Sequence, residues 1–340
     1  MRTPTGEVAT GETQRDHIIE RARFRDQRWF RLGAAILATL GTGYVLLHKV
    51  SLNQILHRWN GIPAMTYVVL LGLMVVFVWL RGVRFHSVLQ SWANGGRLFM
   101  PAAAYTLASQ ILPGGAGELS LPLLLRPLGF SAGQSFAVLV VTRFLDLAVS
   151  LVLGGLVWFL VAASTARPPL IVLAVPTLIV CVGGAVLFAP VQHWLMARLE
   201  ARGAKNPSKM HTTLRDALTT LSNLRGFRLV QLLILTVAIK MLAVTFYVIL
   251  AGALQTGLTF LQVSLATQLS TLLFAVPVQG IAGIGTVDAW WALALRVVGA
   301  STTSAISYAV IFHFTYLLTT VVIGLGPLLK RFWSLPRSVT

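Results

Sequence analysis

Three carboxylates stand inside otherwise apolar sequence, each at a spacing that gives it chemistry to do. Glu118 follows the break Leu112-Pro113-Gly114-Gly115-Ala116-Gly117. Asp288 follows a second break that runs from Pro277-Val278-Gln279-Gly280-Ile281-Ala282-Gly283 through Ile284-Gly285-Thr286-Val287. Pro removes a backbone donor and Gly loosens the backbone, so an α-helix is interrupted at both places. Backbone groups freed inside a bilayer need a wet or protein-lined pocket. A charge at mid-bilayer costs at least about 2.5–3.5 kcal/mol, so Glu118 must be paired, solvated or protonated. The second arm is expected to begin near Gly117, which puts Glu118 in its first turn, where the helix dipole favours a carboxylate. That chemistry suits a proton carrier or a partner for a cationic group. The plainer alternative is a carboxylate that ties the break down by hydrogen bonds. Asp288 carries the same two readings, with Thr286 as the expected cap of its arm. Paired breaks in corresponding positions point to a substrate site in a membrane transporter.

Basic residues supply the other half of the chemistry. Arg143 and Asp146 lie three apart in an apolar stretch and so share a helix face. They either neutralise each other locally, or Arg143 reaches Glu118 or an anionic headgroup, for which its planar fork is suited. Lys240 sits about twelve residues into another apolar stretch and needs a partner or a path to water. Arg81 and Arg84 follow the expected end of a span. They are read as orientation anchors or as interfacial contacts to a lipid phosphate. Arg296 lies near an arm end and is free to snorkel. His313 is read as a packed or hydrogen-bonded helix residue. Most of the nine tryptophans fall near expected span ends, as a membrane-interface belt does. No Cys/His cluster has metal-ligand spacing, and neither a metal nor a cofactor is expected. The single cysteine, Cys181, has no partner for an internal disulfide.

Composition dictates what must hold these residues. Of 340 residues, 56% are hydrophobic and only 11% charged, where a soluble domain carries about 25% charged. Several apolar runs approach the roughly 20 residues that span a bilayer, so an all-α polytopic membrane protein is expected. Residues 1–29 form a basic segment, either an amphipathic surface helix from Asp16 to Arg31 or a basic tail. No cleavable signal peptide is recognised. One transmembrane domain covers 30–330 and a short tail 331–340. Spans are expected at about 30–48, 64–80, 131–162, 170–189, 228–252 and 303–328, with a surface segment at 190–227. The broken units occupy about 101–126 and 260–298, and their arms are too short to cross singly.

Charge distribution arranges these parts. The net charge of +17 argues for membrane orientation and anionic headgroups, not nucleic acid, because the basic residues cluster beside spans. If both broken units return to the side they entered, 21 of the 27 basic residues fall on one side, together with both termini. That side is then cytoplasmic. Six spans plus two re-entrant hairpins of opposite orientation follow, as an inverted repeat produces. Thr106-Leu107-Ala108-Ser109-Gln110 and Ala266-Thr267-Gln268-Leu269-Ser270 precede the two breaks and show local likeness.

The pattern Leu112-Pro113…Gly117-Glu118, followed by Arg143-x-x-Asp146, resembles the membrane region of bacterial lysylphosphatidylglycerol synthases. Pro277…Ile281-Ala282-Gly283-Ile284-Gly285…Asp288 resembles that region's second signature. The likeness extends from about residue 30 to 330. It implies a flippase-like protein of the bacterial cytoplasmic membrane that moves or binds an anionic or aminoacylated phospholipid or a polyprenyl-type lipid. The chain departs from the pattern in carrying Asp288 where the motif commonly ends in Glu. Leu121 and Pro122 also occupy the neighbourhood where an Arg often follows the first Gly-Glu. No polar stretch is long enough for an aminoacyl-transferase domain, so aminoacyl transfer by this chain alone is not expected. The competing readings are a membrane-embedded lipid-modifying enzyme, with the three carboxylates as catalytic acids, and a non-transporting partner of a lipid-synthesis enzyme that docks through 190–227. An oligomer is compatible with either.

Overall fold

The computed structural model describes residues 52–89, 98–113, 116–165, 209–224, 226–274 and 280–333, and the described residues are helical with no β-strand. Four helices are long and apolar enough to cross a membrane: α2 (Ala64–Leu89), α5 (Ala132–Thr165), α7 (Phe227–Ala253) and α10 (Thr302–Trp333). At 1.5 Å per residue each exceeds the roughly 30 Å of hydrocarbon. The spans expected at 30–48 and 170–189 and the basic segment 1–29 lie outside the described residues. So do the tail beyond Trp333 and residues 190–208 of the surface segment. From that segment, α6 (Lys209–Ser222) is a helix against the start of α5. A Cβ at Gly133 of α5 would run into the Thr213 carbonyl, so glycine sets how closely α5 and α6 approach. A short helix, α1 (Leu52–Asn60), precedes α2 and leans on α10, with Trp59 against Phe314 and Arg58 over the Tyr308 ring.

Both breaks occur where expected. In the first unit, α3 (Phe99–Ile111) carries Pro101 in its opening turn, where a missing N–H costs nothing. It stops because Pro113 pushes Leu112 out of the helical region, to φ −80°, ψ 129°. Turns at 116–119 lead into α4 (Ser120–Leu125). Gly117 folds back on α3 so tightly that a Cβ there would penetrate the Ala108 carbonyl. In the second unit, α8 (Phe260–Leu273) starts at a capping box, with the Thr259 hydroxyl accepting from the Gln262 backbone N–H and the Gln262 side chain accepting from the Thr259 N–H. A 3-10 turn (Ile281–Gly283) and α9 (Thr286–Val297) follow. Gln262 Nε2 donates to the Val298 carbonyl at 2.9 Å, so the start of α8 and the end of α9 lie side by side. The second unit therefore doubles back on itself. Its arms of 14 and 12 residues span only about 20 Å each.

Packing brings the breaks together. Helix α10 lies against both α3 and α9, α5 against α4 and α8, and α2 against α7. The turn at Ile281–Gly283 touches α3, so the second break reaches the first unit.

Candidate functional site

One cavity of about 150 Å³ opens between the two breaks. That is roughly ten times the space a single water needs. Its wall holds Glu118 from the first break, Arg143 and Asp146 of α5, Lys240 of α7, and Arg81 and Arg84 of α2. Ser109 and Gln110 of α3, Thr267 and Thr271 of α8, Tyr247 of α7 and His313 and Tyr316 of α10 add to the polar lining. Helical spacing explains the convergence. Residues 77, 81 and 84 share one face of α2, 143 and 146 one face of α5, and 236, 240, 243 and 247 one face of α7.

Two ion pairs divide the cavity. At its deep end Arg84 grips Asp146 with both arms, at 2.6 Å and 3.2 Å, and Arg84 also donates to the Thr236 hydroxyl at 3.4 Å. The Arg84 side chain is 1% exposed and that of Asp146 12%. At the mouth Arg143 pairs with Glu118, and their side chains are 39% and 34% exposed. The deep pair is a largely buried fork-to-fork contact in the cavity wall, whereas the mouth pair, a third or more exposed, stands in reach of any ligand that enters. Arg81 donates to the Thr106 hydroxyl at 3.0 Å and lies over the Tyr105 ring, 4.9 Å from its centroid. Neither Arg81 nor Lys240 forms an ion pair among the described residues. Four cations against two carboxylates leave a formal excess of two positive charges on the cavity wall, the histidine aside.

The second break is built differently. Asp288 is 1% exposed. One of its oxygens accepts from the Gly285 N–H at 2.8 Å, and the other meets His313 Nδ1 at 2.8 Å. Gly283 and Gly285 take positive φ, +69° and +83°, and Ala282 joins them at +51°. The backbone thereby turns sharply enough for Asp288 to close over it. His313 reaches the cavity wall from behind this knot.

Several expectations are corrected here. The second span does not end near residue 80. The helix continues to Leu89, so Arg81 and Arg84 are buried in the cavity and not placed in an interfacial loop. Arg143 and Asp146 do not pair with each other, since each finds its partner on another element. Glu118 precedes α4 by two residues, because Pro122 and the tight Gly117 turn delay the helix to Ser120. Thr286 is not the cap of α9. Its hydroxyl accepts from the Gly280 N–H and donates to the Gly283 carbonyl, while Asp288 takes the cap's N–H. Trp291 is not at an interface but buried against Tyr247, with ring centroids 4.3 Å apart. Arg296 donates to the Ala300 carbonyl at 3.0 Å and closes the end of α9. Of the remaining candidates, Pro113 and Gly117 shape the first turn, and Gly114 and Gly115 lie outside the described residues. His313 and Tyr316 were not read as cavity residues, although 313, 316 and 320 form a polar stripe on an apolar helix.

An all-α polytopic membrane protein with a charged cavity enclosed between two broken helices is thus defined. The sequence matches the family model described as lysylphosphatidylglycerol synthase TM region over residues 31–324, and the chain belongs to that family. This places it among multi-pass membrane proteins with a lipid-related role. Comparison with curated proteins returns no match.

Proposed function

We propose that the protein binds the anionic headgroup of a membrane lipid in this cavity and passes it between leaflets of a bacterial cytoplasmic membrane, with both termini cytoplasmic. The observation that carries the reading is the excess of two cations, Arg81 and Lys240, which have no carboxylate within ion-pair distance among the described residues. An unpaired charge held at membrane depth costs several kcal/mol, and a phosphate entering the cavity removes that cost. Arg84 is spent on Asp146 and acts as scaffold. Arg143 is held by Glu118 at the mouth, where an incoming phosphate competes with the carboxylate for the same guanidinium. Transfer of Arg143 between Glu118 and the headgroup couples binding to opening of the first hairpin. Acyl chains remain in the bilayer, so only the headgroup crosses. The polar breaks supply the path, as in transporters whose discontinuous helices meet at mid-membrane.

The test is mass spectrometry of lipids that co-purify with the wild type and with Arg81→Gln/Lys240→Gln, paired with a fluorescent-lipid flip assay in proteoliposomes. The expected result is one anionic class enriched in the wild type, lost at least tenfold in the variant, and a flip rate that falls with it. Equal bulk lipid in both samples sinks the reading.

A further inference from the structure

His313 is a buried titratable group to which the headgroup reading gives no task. It is 1% exposed, as is Asp288. The two meet from neighbouring helices, α10 and α9, through Nδ1 and a carboxylate oxygen 2.8 Å apart. A carboxylate only accepts, so Nδ1 carries the hydrogen of that bond, and in the neutral ring Nε2 is left as a bare acceptor. Nε2 is buried and has no hydrogen-bond partner among the described residues. Gly283 of the second break stands beside it. A Cβ there would come within 3.2 Å of Nε2, so the break meets that nitrogen with a residue that has no side chain. Asp288 is fixed in turn through its other oxygen, which accepts from the Gly285 N–H. The ring is thus held in one tautomer and one orientation, its second nitrogen is open to a proton, and it forms part of the cavity wall.

Resting on the headgroup reading above, we infer that His313 is the proton site of this cavity: it takes up a proton on Nε2 as an anionic headgroup enters and gives it up as the headgroup leaves. Charge decides the timing. From α9 the ring faces Asp288. Across the cavity stand Arg81 and Arg84 of α2, Lys240 and Tyr247 of α7, Arg143 and Asp146 of α5, and Glu118, with Tyr316 on its own helix. Packed on α10 farther off are Tyr105 of α3, which carries Arg81 on its ring, and Arg58 of α1, over Tyr308. In the empty cavity the surplus of cations repels an imidazolium. An entering anion offsets part of that surplus and leaves room for one more positive charge. The neutral ring and Asp288 together carry one negative charge, and the proton converts them to a neutral ion pair. By reciprocity the proton tightens the hold on the anion by the same factor. Asp288 is a positioning residue here, and His313 carries the proton. Headgroup and proton then travel together, so a pH difference across the membrane biases transfer toward its more alkaline side.

The test is the binding of short-chain phosphatidylglycerol to the full-length protein in detergent between about pH 6 and 8, where histidine changes charge. The phosphodiester keeps one charge throughout, so the probe adds no titration of its own. Affinity is expected to fall about tenfold from the acid to the alkaline end. Calorimetry in buffers of different ionisation enthalpy should find about half a proton taken up per headgroup bound, averaged over that range. His313→Gln should flatten the dependence. Asp288→Asn, whose side-chain oxygen is still able to accept from the Gly285 N–H, should flatten it too. Glu118 and Lys240 are the two wall residues whose own titration would mimic that of His313. The double variant Lys240→Arg/Glu118→Gln removes both and should shift the affinity but keep the slope, a result that decides the matter even where the dyad variants fail to fold. A flat wild-type affinity without proton uptake overturns the proton site and leaves the headgroup cavity standing. So does a slope that survives His313→Gln or vanishes in the double variant. If the probe binds at no pH, the headgroup reading falls and the proton site with it.

Discussion

The two breaks carry the same ingredients and use them in opposite ways. In the first, the acid reaches outward: Glu118 crosses to Arg143 on another helix and stays about one-third exposed at the cavity mouth. In the second, the acid turns inward, where Asp288 takes the Gly285 N–H and the His313 ring and is sealed from solvent. Glu118 is therefore available to a ligand and Asp288 is committed to the fold. The difference comes from the backbone around each acid. The first break is a turn packed closely on α3, which points its acid away toward α5, ahead of a helix of only six residues. The second wraps three positive-φ residues, Ala282, Gly283 and Gly285, around the carboxylate that caps its helix. A Pro/Gly/acid motif thus specifies a break without specifying whether its acid works on the ligand or on the chain.

Substitutions at matching places should separate the two. Asp288→Ala is expected to have the largest effect on stability. It strands a buried N–H and a buried imidazole, and should cost about 3 kcal/mol or more, read as loss of monodisperse protein and a lower Tm in detergent. Gly117→Ala comes next, because its new Cβ meets a backbone carbonyl of α3 that cannot rotate away. A loss of about 2–3 kcal/mol and a displaced Glu118 are expected, visible as lower Tm together with lost lipid retention. Gly283→Ala should cost about as much, roughly 2–3 kcal/mol, because left-handed backbone strain is joined by a clash of the new Cβ with Val287 Cγ2 at 2.5 Å, on a stiff β-branched side chain. The smallest change in stability is expected from Glu118→Gln, under about 1 kcal/mol for a part-exposed pair. Yet this variant should change lipid binding or flip rate by tenfold or more while Asp288→Asn, where it folds, leaves the cavity charge as it was. Equal thermal losses for Glu118→Gln and Asp288→Ala would erase the distinction between the breaks.

How the cavity is built sets what could be read beforehand. The breaks were legible because Pro and Gly act locally. Leu112 leaves the helix on account of the next residue alone, and Gly283 and Gly285 sit where φ must be positive. The long helices were legible from their apolar length, except where charge misled. Arg81 and Arg84 read as the end of a span, yet α2 runs through them because Asp146, Thr106 and Thr236 on three other elements satisfy them. The spacing of Arg143 and Asp146 placed them on one helix face but not in contact, since each side chain found a better-aligned partner across the bundle. His313 is the packed, hydrogen-bonded helix residue its setting suggests, but its partner Asp288 could not be named from the sequence, since it lies 25 residues away, beyond a loop.

Composition and local chemistry alone therefore determined an all-helical membrane protein with two interrupted helices, and they named nearly every charge on the cavity wall. Hydropathy and backbone sterics act over a few residues, and the chain records them directly. Only the tertiary structure decided which charges are paired and which are free. An ion pair inside a membrane is settled by the packing of helices far apart in sequence, and among the described residues that packing left Arg81 and Lys240 facing a cavity with no carboxylate in ion-pair contact.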